Sequence, residues 1–362
     1  MKSIDIQKFL RVDPRQAPAY EISVFPEAVK LDANESPYDI PADLLTQVLQ
    51  SLGHARLNRY PDPGYRELRH MAAQEWGWAA DRILPGNGSD ELIQAIIIAF
   101  GGPGKTIFVP SPSFAMYRII ARSLGEQVEE IPLTEDFDLA LSDAWRGQMY
   151  EPAQPGNIIF LAVPNNPTGN CFGRSVIGEI LENFPGIVCL DEAYADFAEG
   201  NFLDLLPEHP NLIILRTLSK IGLAGIRMGF LLADTAIIQH IQRVKLPYNI
   251  NILSETIARI ALSQRESITP GINQIKQNRD WLYEQMRQIQ GLRVYPSSAN
   301  FILFKVDSNV SGVFEHLLAA GILVKGFGCE GRLKDHFRVT VGTREECIRF
   351  LDALTQILSH PR

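Results

Sequence analysis

The 362-residue chain carries 34 Lys and Arg against 42 Asp and Glu, a net charge of −8. That balance argues against general binding to nucleic acid or to an anionic membrane, though it leaves room for a local basic pocket. Hydrophobic residues make up 46% and charged residues 21%, which suits a chain that buries a core, and the length suggests one large domain with a smaller one beside it.

Residues 1–35 hold few periodic apolar positions and several prolines, and read as an extended arm with one short helix at 4–11. The stretch 32–37 is a loop, because Asn and Asp bond the backbone locally and Pro37 disfavours helix at Ser36. Pro41 then opens a helix through about 51, where its missing N–H costs nothing. An exposed turn at 58–64 precedes a helix over 65–76. After Ile83 the pattern changes. The Gly-rich turn 86–91 leads into an apolar helix at 92–100 that must be buried. Short apolar runs follow at 106–109, 127–131, 157–163, 187–190, 211–215 and 228–233, separated by helical or loop segments. Continuous hydrophobicity is what strands covered on both faces show, so these predict an α/β sheet, largely parallel. Beyond Pro247 come helices at 254–262 and 270–290, then strands at 293–295, 300–306, 322–325 and 337–341 with a helix at 313–320. The expected organisation is an arm at 1–35, a large α/β domain at 36–246, and a smaller α+β domain at 247–362 against which the arm packs.

Cys171, Cys189, Cys329 and Cys347 are widely spaced, without a CxxC pair, and the seven histidines show no metal-ligand spacing. Both features point to reduced thiols and no metal site. No apolar run approaches the roughly 18 residues of a membrane helix, and no signal-peptide core stands near the N-terminus, so a soluble cytoplasmic protein is expected.

Four stretches carry chemistry. GNGSDE (86–91) feeds a helix N-terminus, whose free N–H groups and the Ser89 hydroxyl can hold a phosphate; a plain capped helix start fits it as well. In PNNPTG (164–169), Pro167 biases Asn166 to an extended conformation past a strand end, where its amide can donate to a ligand oxygen; an ordinary turn is the alternative. Asp191 ends an apolar strand, so its carboxylate is held near the interior and needs a partner, either a protonated pyridine nitrogen or a metal ion. Tyr194 could reach the same ligand. In RTLSKIGLAGIRMGF (216–230), Lys220 lies just past a buried strand among small residues. Crowding and the Arg227 cation would lower its pKa toward the neutral amine that attacks a carbonyl, and Thr217, Ser219 and Arg227 could bind an anion beside it. An exposed lysine at a strand–loop edge is the alternative.

Taken in order, these stretches resemble the aspartate-aminotransferase-like, fold type I enzymes that use pyridoxal 5'-phosphate (PLP), over most of the chain. Within that superfamily the sequence is most similar to the histidinol-phosphate aminotransferases. The finer match is carried by LDANESPY (31–38), NRYPDPG (58–64), GNGSDE, PNNPTG, DEAYADF (191–197), the 216–230 stretch and FRVTVGTREE (337–346). The resemblance implies that Lys220 links to the cofactor aldehyde and shuttles the substrate proton, that Asp191 pairs with the pyridine nitrogen, and that Asn166 and Tyr194 bond its phenolate oxygen. Gly88, Ser89, Asp90, Thr217, Ser219 and Arg227 would hold the phosphate, and Phe114 would stack on the ring. Tyr60 would reach the cofactor phosphate of a second subunit, so a homodimer is implied. Arg338 would bind the anionic group of glutamate or histidinol phosphate, with Lys325 near it and Tyr20 and Asn34 closing over it. Two departures stand out: Lys325 occupies a position where the family often has arginine, and the spacing from Lys220 to Arg227 is one residue shorter than in many members. The resemblance also admits a threonine-phosphate decarboxylase-like lyase or an aromatic aminotransferase.

Overall fold

A computed structural model describes residues 25–151, 156–306, 312–328 and 331–359, together with Phe9. Apart from Phe9, the helix expected at 4–11 lies outside the described residues, and so does Tyr20.

In chain order the elements begin with β1 (Val29–Leu31), α1 (Ala42–Leu52), α2 (Arg66–Trp76), β2 (Ile83–Asn87), α3 (Gly88–Phe100), β3 (Thr106–Ser111), α4 (Ala115–Ser123) and β4 (Gln127–Pro132). They continue through α5 (Asp143–Tyr150), β5 (Ile158–Ala162), α6 (Arg174–Asn183), β6 (Ile187–Asp191), β7 (Leu212–Thr217), β8 (Met228–Ala233) and α7 (Thr235–Gln242). The C-terminal part holds α8 (Ile252–Ser263), α9 (Arg265–Arg287), β9 (Leu292–Val294), β10 (Phe301–Val306), α10 (Val313–Ala319), β11 (Ile322–Gly326), β12 (His336–Thr340) and α11 (Arg344–Ser359).

Seven strands form one sheet in the order β2-β8-β7-β6-β5-β3-β4. Strands β5, β6 and β7 are buried along almost their whole length. Successive residues enter opposite cores. Ile213 and Leu215 join Leu92, Ile96 and Ile237 on the face covered by α3, α4 and α7, whereas Leu212 and Ile214 join the larger core on the other face. This two-sided covering is why these runs are apolar without alternation. The edge strand β4 alternates over its first four residues, with Gln127 and Glu129 exposed and Val128 and Glu130 half-buried between and after them.

Most neighbours in this sheet are parallel, as expected, but β8 runs antiparallel to both β7 and β2. The connection 218–227 explains the reversal: it is shorter than the dozen or so residues a parallel crossover takes, so the chain turns straight back. Strand β2 was not expected, because it contains Pro85 and Gly86. Among the described residues it lies at the sheet edge, paired with β8 alone, where a proline's missing N–H breaks no ladder.

The second sheet runs β1-β11-β12-β10-β9, and β1 joins it through parallel pairing of Val29 with Ile322. The segment expected to pack as an arm thus contributes a strand. Helix α9 starts at Arg265 instead of the expected 270, and Pro270 sits inside it. The N–H that proline lacks would have met the carbonyl of Glu266, which lies on an exposed face open to water. Thr269 Oγ1 donates to Arg265 O one turn back.

Candidate active site

One end of the large sheet gathers the residues that the sequence singled out. Strands β5, β6 and β7 finish there. Because β8 is antiparallel, its first residue, Met228, lies beside their ends, and Leu218 N–H donates to Met228 O at 3.1 Å. Strand β2 is parallel to β7 and runs at the same end into α3. A cavity opens there, lined among others by Ser89, Phe114, Asn166, Asp191, Tyr194 and Lys220. Asp90, Thr217, Ser219 and Arg227 complete one side of it.

That side is an anion cradle. Gly88 adopts φ 81°, and a Cβ there would stand 2.9 Å from Arg227 Nη2. A Cβ on Gly229 would come within 2.7 Å of Ser89 N. Both positions need glycine, because β8 and the Arg227 guanidinium press against the start of α3. Ser89 Oγ is buried with no hydrogen-bond partner among the described residues, a group that wants an acceptor or donor in the cavity. Thr217 Oγ1 accepts from Ser219 N–H at 3.1 Å and lies 2.9 Å from Ser219 Oγ, so the two hydroxyls hold one another at the rim. Arg227 adopts φ 52° and pairs with Asp90 at 3.0 Å. The shortened spacing from Lys220 therefore still delivers the guanidinium to the cradle.

Asp191 forms the floor. Tyr117 Oη donates to its Oδ2 at 2.7 Å, and Ala193 N–H donates to Oδ1 at 3.1 Å. Burial pushes the carboxyl up to about 6, despite these bonds and the Lys220 cation, which favour the ionised form. A cationic ligand group above it would reverse that burden. Burial beside Asp191 also drives the Tyr117 phenol well above its usual range, so Tyr117 stays a donor. The sequence did not single out Tyr117; it sits on the buried face of α4, stacked on Phe160, and looks like any core aromatic.

Lys220 donates to Ala33 O at 3.4 Å, and its ammonium lies 5.6 Å from the centroid of the Tyr194 ring. Tyr194 Oη accepts from Asn34 Nδ2 at 2.8 Å and from Asn166 Nδ2 at 3.4 Å, which leaves its own proton to donate elsewhere. Asn166 is oriented by Arg338, whose Nη1 donates to Asn166 Oδ1 while Nη2 donates to Asp32 O at 2.5 Å. Arg338 is 8% exposed, and Lys325 stands directly opposite it in the β11–β12 register. Asn34 is buried at φ 55°, fixed by Thr340 Oγ1 on its N–H and by Asn300 Nδ2 on its carbonyl. It braces the cavity from behind, through its bond to Tyr194. Tyr60 lies apart from this cavity, 80% exposed and stacked on Tyr248 at 4.5 Å.

Beneath the floor lies a second feature that sequence reasoning missed. Glu192 and Arg216 each follow or precede a cavity residue in an extended strand end, so they point to the opposite face. They meet there at 2.6 Å, with side chains 1% and 9% exposed, and Glu192 Oε1 also accepts from Phe202 N–H at 2.6 Å. Burial pushes the Glu192 carboxyl up, and Arg216 pulls it back. Glu192→Ala should cost about 3 kcal/mol of folding stability, because it leaves a buried guanidinium unpaired; chemical denaturation checks this.

The cavity thus offers an amine, a buried carboxylate, an aromatic face in Phe114 and a hydroxyl- and guanidinium-lined cradle. These fit an aldehyde-bearing pyridine with a phosphate arm.

Residues 26–354 match the model of the class I and II aminotransferases. The chain belongs to that family. Among curated aminotransferases, histidinol-phosphate aminotransferase 2 of Nitrosococcus oceani is 40% identical over 352 residues, 96% of this chain and 97% of that protein. The solved structure of the histidinol-phosphate aminotransferase from Clostridium acetobutylicum is 25% identical, covers 91% of this chain and 98% of its own, and superposes with a TM-score of 0.80. The Sinorhizobium meliloti enzyme of the same name, solved with pyridoxal-5'-phosphate, shares the fold at a TM-score of 0.82 and 22% identity, covering 93% of this chain and 95% of its own. No helix among the described residues is long and apolar enough to cross a membrane.

Proposed function

We propose that this aminotransferase uses PLP to exchange an amino group between histidinol phosphate and glutamate or 2-oxoglutarate, in the cytoplasm and as a homodimer. The observation that carries the reading is the meeting, in one cavity, of Lys220, the buried Asp191 carboxylate and the Ser89–Arg227 cradle. When bound, the cofactor supplies an aldehyde that accepts the substrate nitrogen and a ring that takes up the electrons left by the α-proton.

The chain's own residues do the rest. Lys220 would hold the cofactor through its aldehyde, and its amine is the group placed to carry the substrate's α-proton. Asp191, kept in place by Tyr117 and Ala193 N–H, stabilises positive charge on the ring nitrogen. Asn166 Nδ2 and the Tyr194 hydroxyl would donate to the phenolate oxygen, and Phe114 would offer its face to the ring. Ser89, Thr217, Ser219, Arg227 and the N–H groups of Gly88–Asp90 hold the phosphate at the start of α3. Arg338 binds the substrate anion, and its bond to Asn166 places the substrate site and the phenolate donor on one network. Lys325, opposite it, adds a second cation, which suits a phosphate more than a single carboxylate. Tyr60 is exposed in a loop that also exposes Leu57, and it stacks on a second loop that exposes Leu246. That is the surface a second subunit would cover, with Tyr60 reaching the partner's phosphate.

Single-turnover mixing of the PLP-loaded protein with one amine donor at a time tests the function. Histidinol phosphate and glutamate should each transfer their amino group at least about tenfold faster than tyrosine or phenylalanine, because the aromatic amino acids offer a single α-carboxylate and neither the phosphate nor the second carboxylate that Arg338 and Lys325 would share. Equal rates with tyrosine would make it an aromatic aminotransferase. Carbon dioxide release from threonine phosphate without amino transfer would make it a lyase.

A further inference from the structure

The cradle and the exposed Tyr60 are joined through one amide. Glu91, in the first turn of α3, accepts at Oε2 from the backbone N–H of Asn87 at 2.5 Å, within the phosphate turn itself. The same oxygen accepts from Asn249 Nδ2 at 2.6 Å. At its other end, Asn249 Oδ1 accepts from Tyr65 Oη at 3.1 Å and from Lys245 Nζ at 2.5 Å. Tyr65 is 1% exposed, adopts φ 46°, and its hydroxyl also accepts from Ile250 N–H at 3.1 Å. It terminates the loop that carries Tyr60, and Asp62 pins that loop by accepting from the N–H groups of Gly64 and Arg66. The Tyr60 ring itself stacks on Tyr248, the residue before Asn249, which is held at φ 58°. Tyr60 is therefore fixed from two sides, and both lead to Asn249.

We propose that Asn249 is a positioning residue that couples the two cofactor phosphates of the dimer. Through Glu91 it sets the phosphate turn of its own chain, and through Tyr65 and Tyr248 it sets the Tyr60 that serves the other chain. An amide meets both demands with one side chain, donating to a carboxylate on one side while accepting from a phenol on the other. The coupling rests on the homodimer proposed above, in which Tyr60 crosses to the partner's site.

Mixed dimers of two differently tagged chains test it, one chain carrying Lys220→Ala so that the lysine-linked chromophore forms at a single site. Asn249→Leu on either chain should weaken PLP binding at that site about tenfold, the effect of one lost hydrogen bond to a charged network. Tyr65→Phe, which cuts only the arm toward Tyr60 and serves equally should Asn249→Leu fail to assemble, should weaken it only from the Lys220→Ala chain. Pyridoxal, which has no phosphate, should bind the altered and unaltered dimers alike. Weakening by Asn249→Leu only when it shares a chain with Lys220, or equal weakening of pyridoxal, overturns the coupling. Tyr60→Phe on the Lys220→Ala chain is the separate control. If it leaves PLP affinity unchanged, Tyr60 does not cross between subunits, and the coupling falls with the shared site while the transamination assigned to Lys220 stands.

Discussion

Lys220→Ala should lower transamination by about four orders of magnitude or more, because one side chain provides both the covalent anchor and the proton carrier. The same substitution should barely change folding stability. The polar contact of Lys220 is a 3.4 Å bond to Ala33 O, and its ammonium stands 5.6 Å from the Tyr194 ring centroid. Contacts of that length contribute about 0.5–1 kcal/mol at most. The pairing of a large kinetic loss with a small thermodynamic one separates a reacting amine from a structural lysine. Steady-state rates with glutamate, measured beside denaturant unfolding of the same variant, give both numbers. The protein should also lose the yellow chromophore that borohydride bleaches in the parent. Activity within about tenfold of the parent would mean that another group moves the proton.

The sequence made the site legible wherever a polar residue interrupts or ends a run that must be buried. Asp191, Asn166 and Thr217 stand at or just past strand ends, and an α/β sheet has its ligands there. What it concealed was decided by distant partners. Tyr117 has the periodicity of a core residue in α4, and only the packing of that helix against β3 and β4, with the ring stacked on Phe160 of β5, sets its hydroxyl against Asp191. Glu192 and Arg216 lie next to residues that were recognised, yet their mutual pairing depends on the register of β6 against β7. Asn34 reads as a loop residue, and its burial comes from Thr340 and Asn300, far along the chain. Strand direction was hidden for β8 for a different reason. A strand covered on both faces has the same composition whichever way it runs, so only the short 218–227 connection carried the information.

Asp191→Asn should cut turnover about a hundred- to a thousandfold, the usual cost of removing a preorganised charge from a developing one. Its effect on the cofactor-free protein should have the opposite sign. The carboxyl is raised from 3.8 to about 6 by burial, so between those values the folded state holds a proton that the unfolded state has released. Stability then falls as pH rises through that window, by about 3 kcal/mol in all, and stays level above it. Asparagine cannot ionise, and it can still accept from Ala193 N–H while its amide donates to the Tyr117 oxygen. Below about pH 4 the parent and Asp191→Asn should therefore be equally stable, and at pH 7 the variant should be the more stable by about 3 kcal/mol. Loading with PLP should erase that difference in the parent's disfavour, since a positive ring nitrogen gives the ionised carboxylate the partner that burial withholds. Denaturant unfolding of both proteins at pH 4, 5, 6 and 7, with and without PLP, measures each part. An Asp191→Asn variant that is less stable than the parent at pH 7 without cofactor would show that Asp191 is a structural acceptor for Tyr117, not a charge held ready for a ligand.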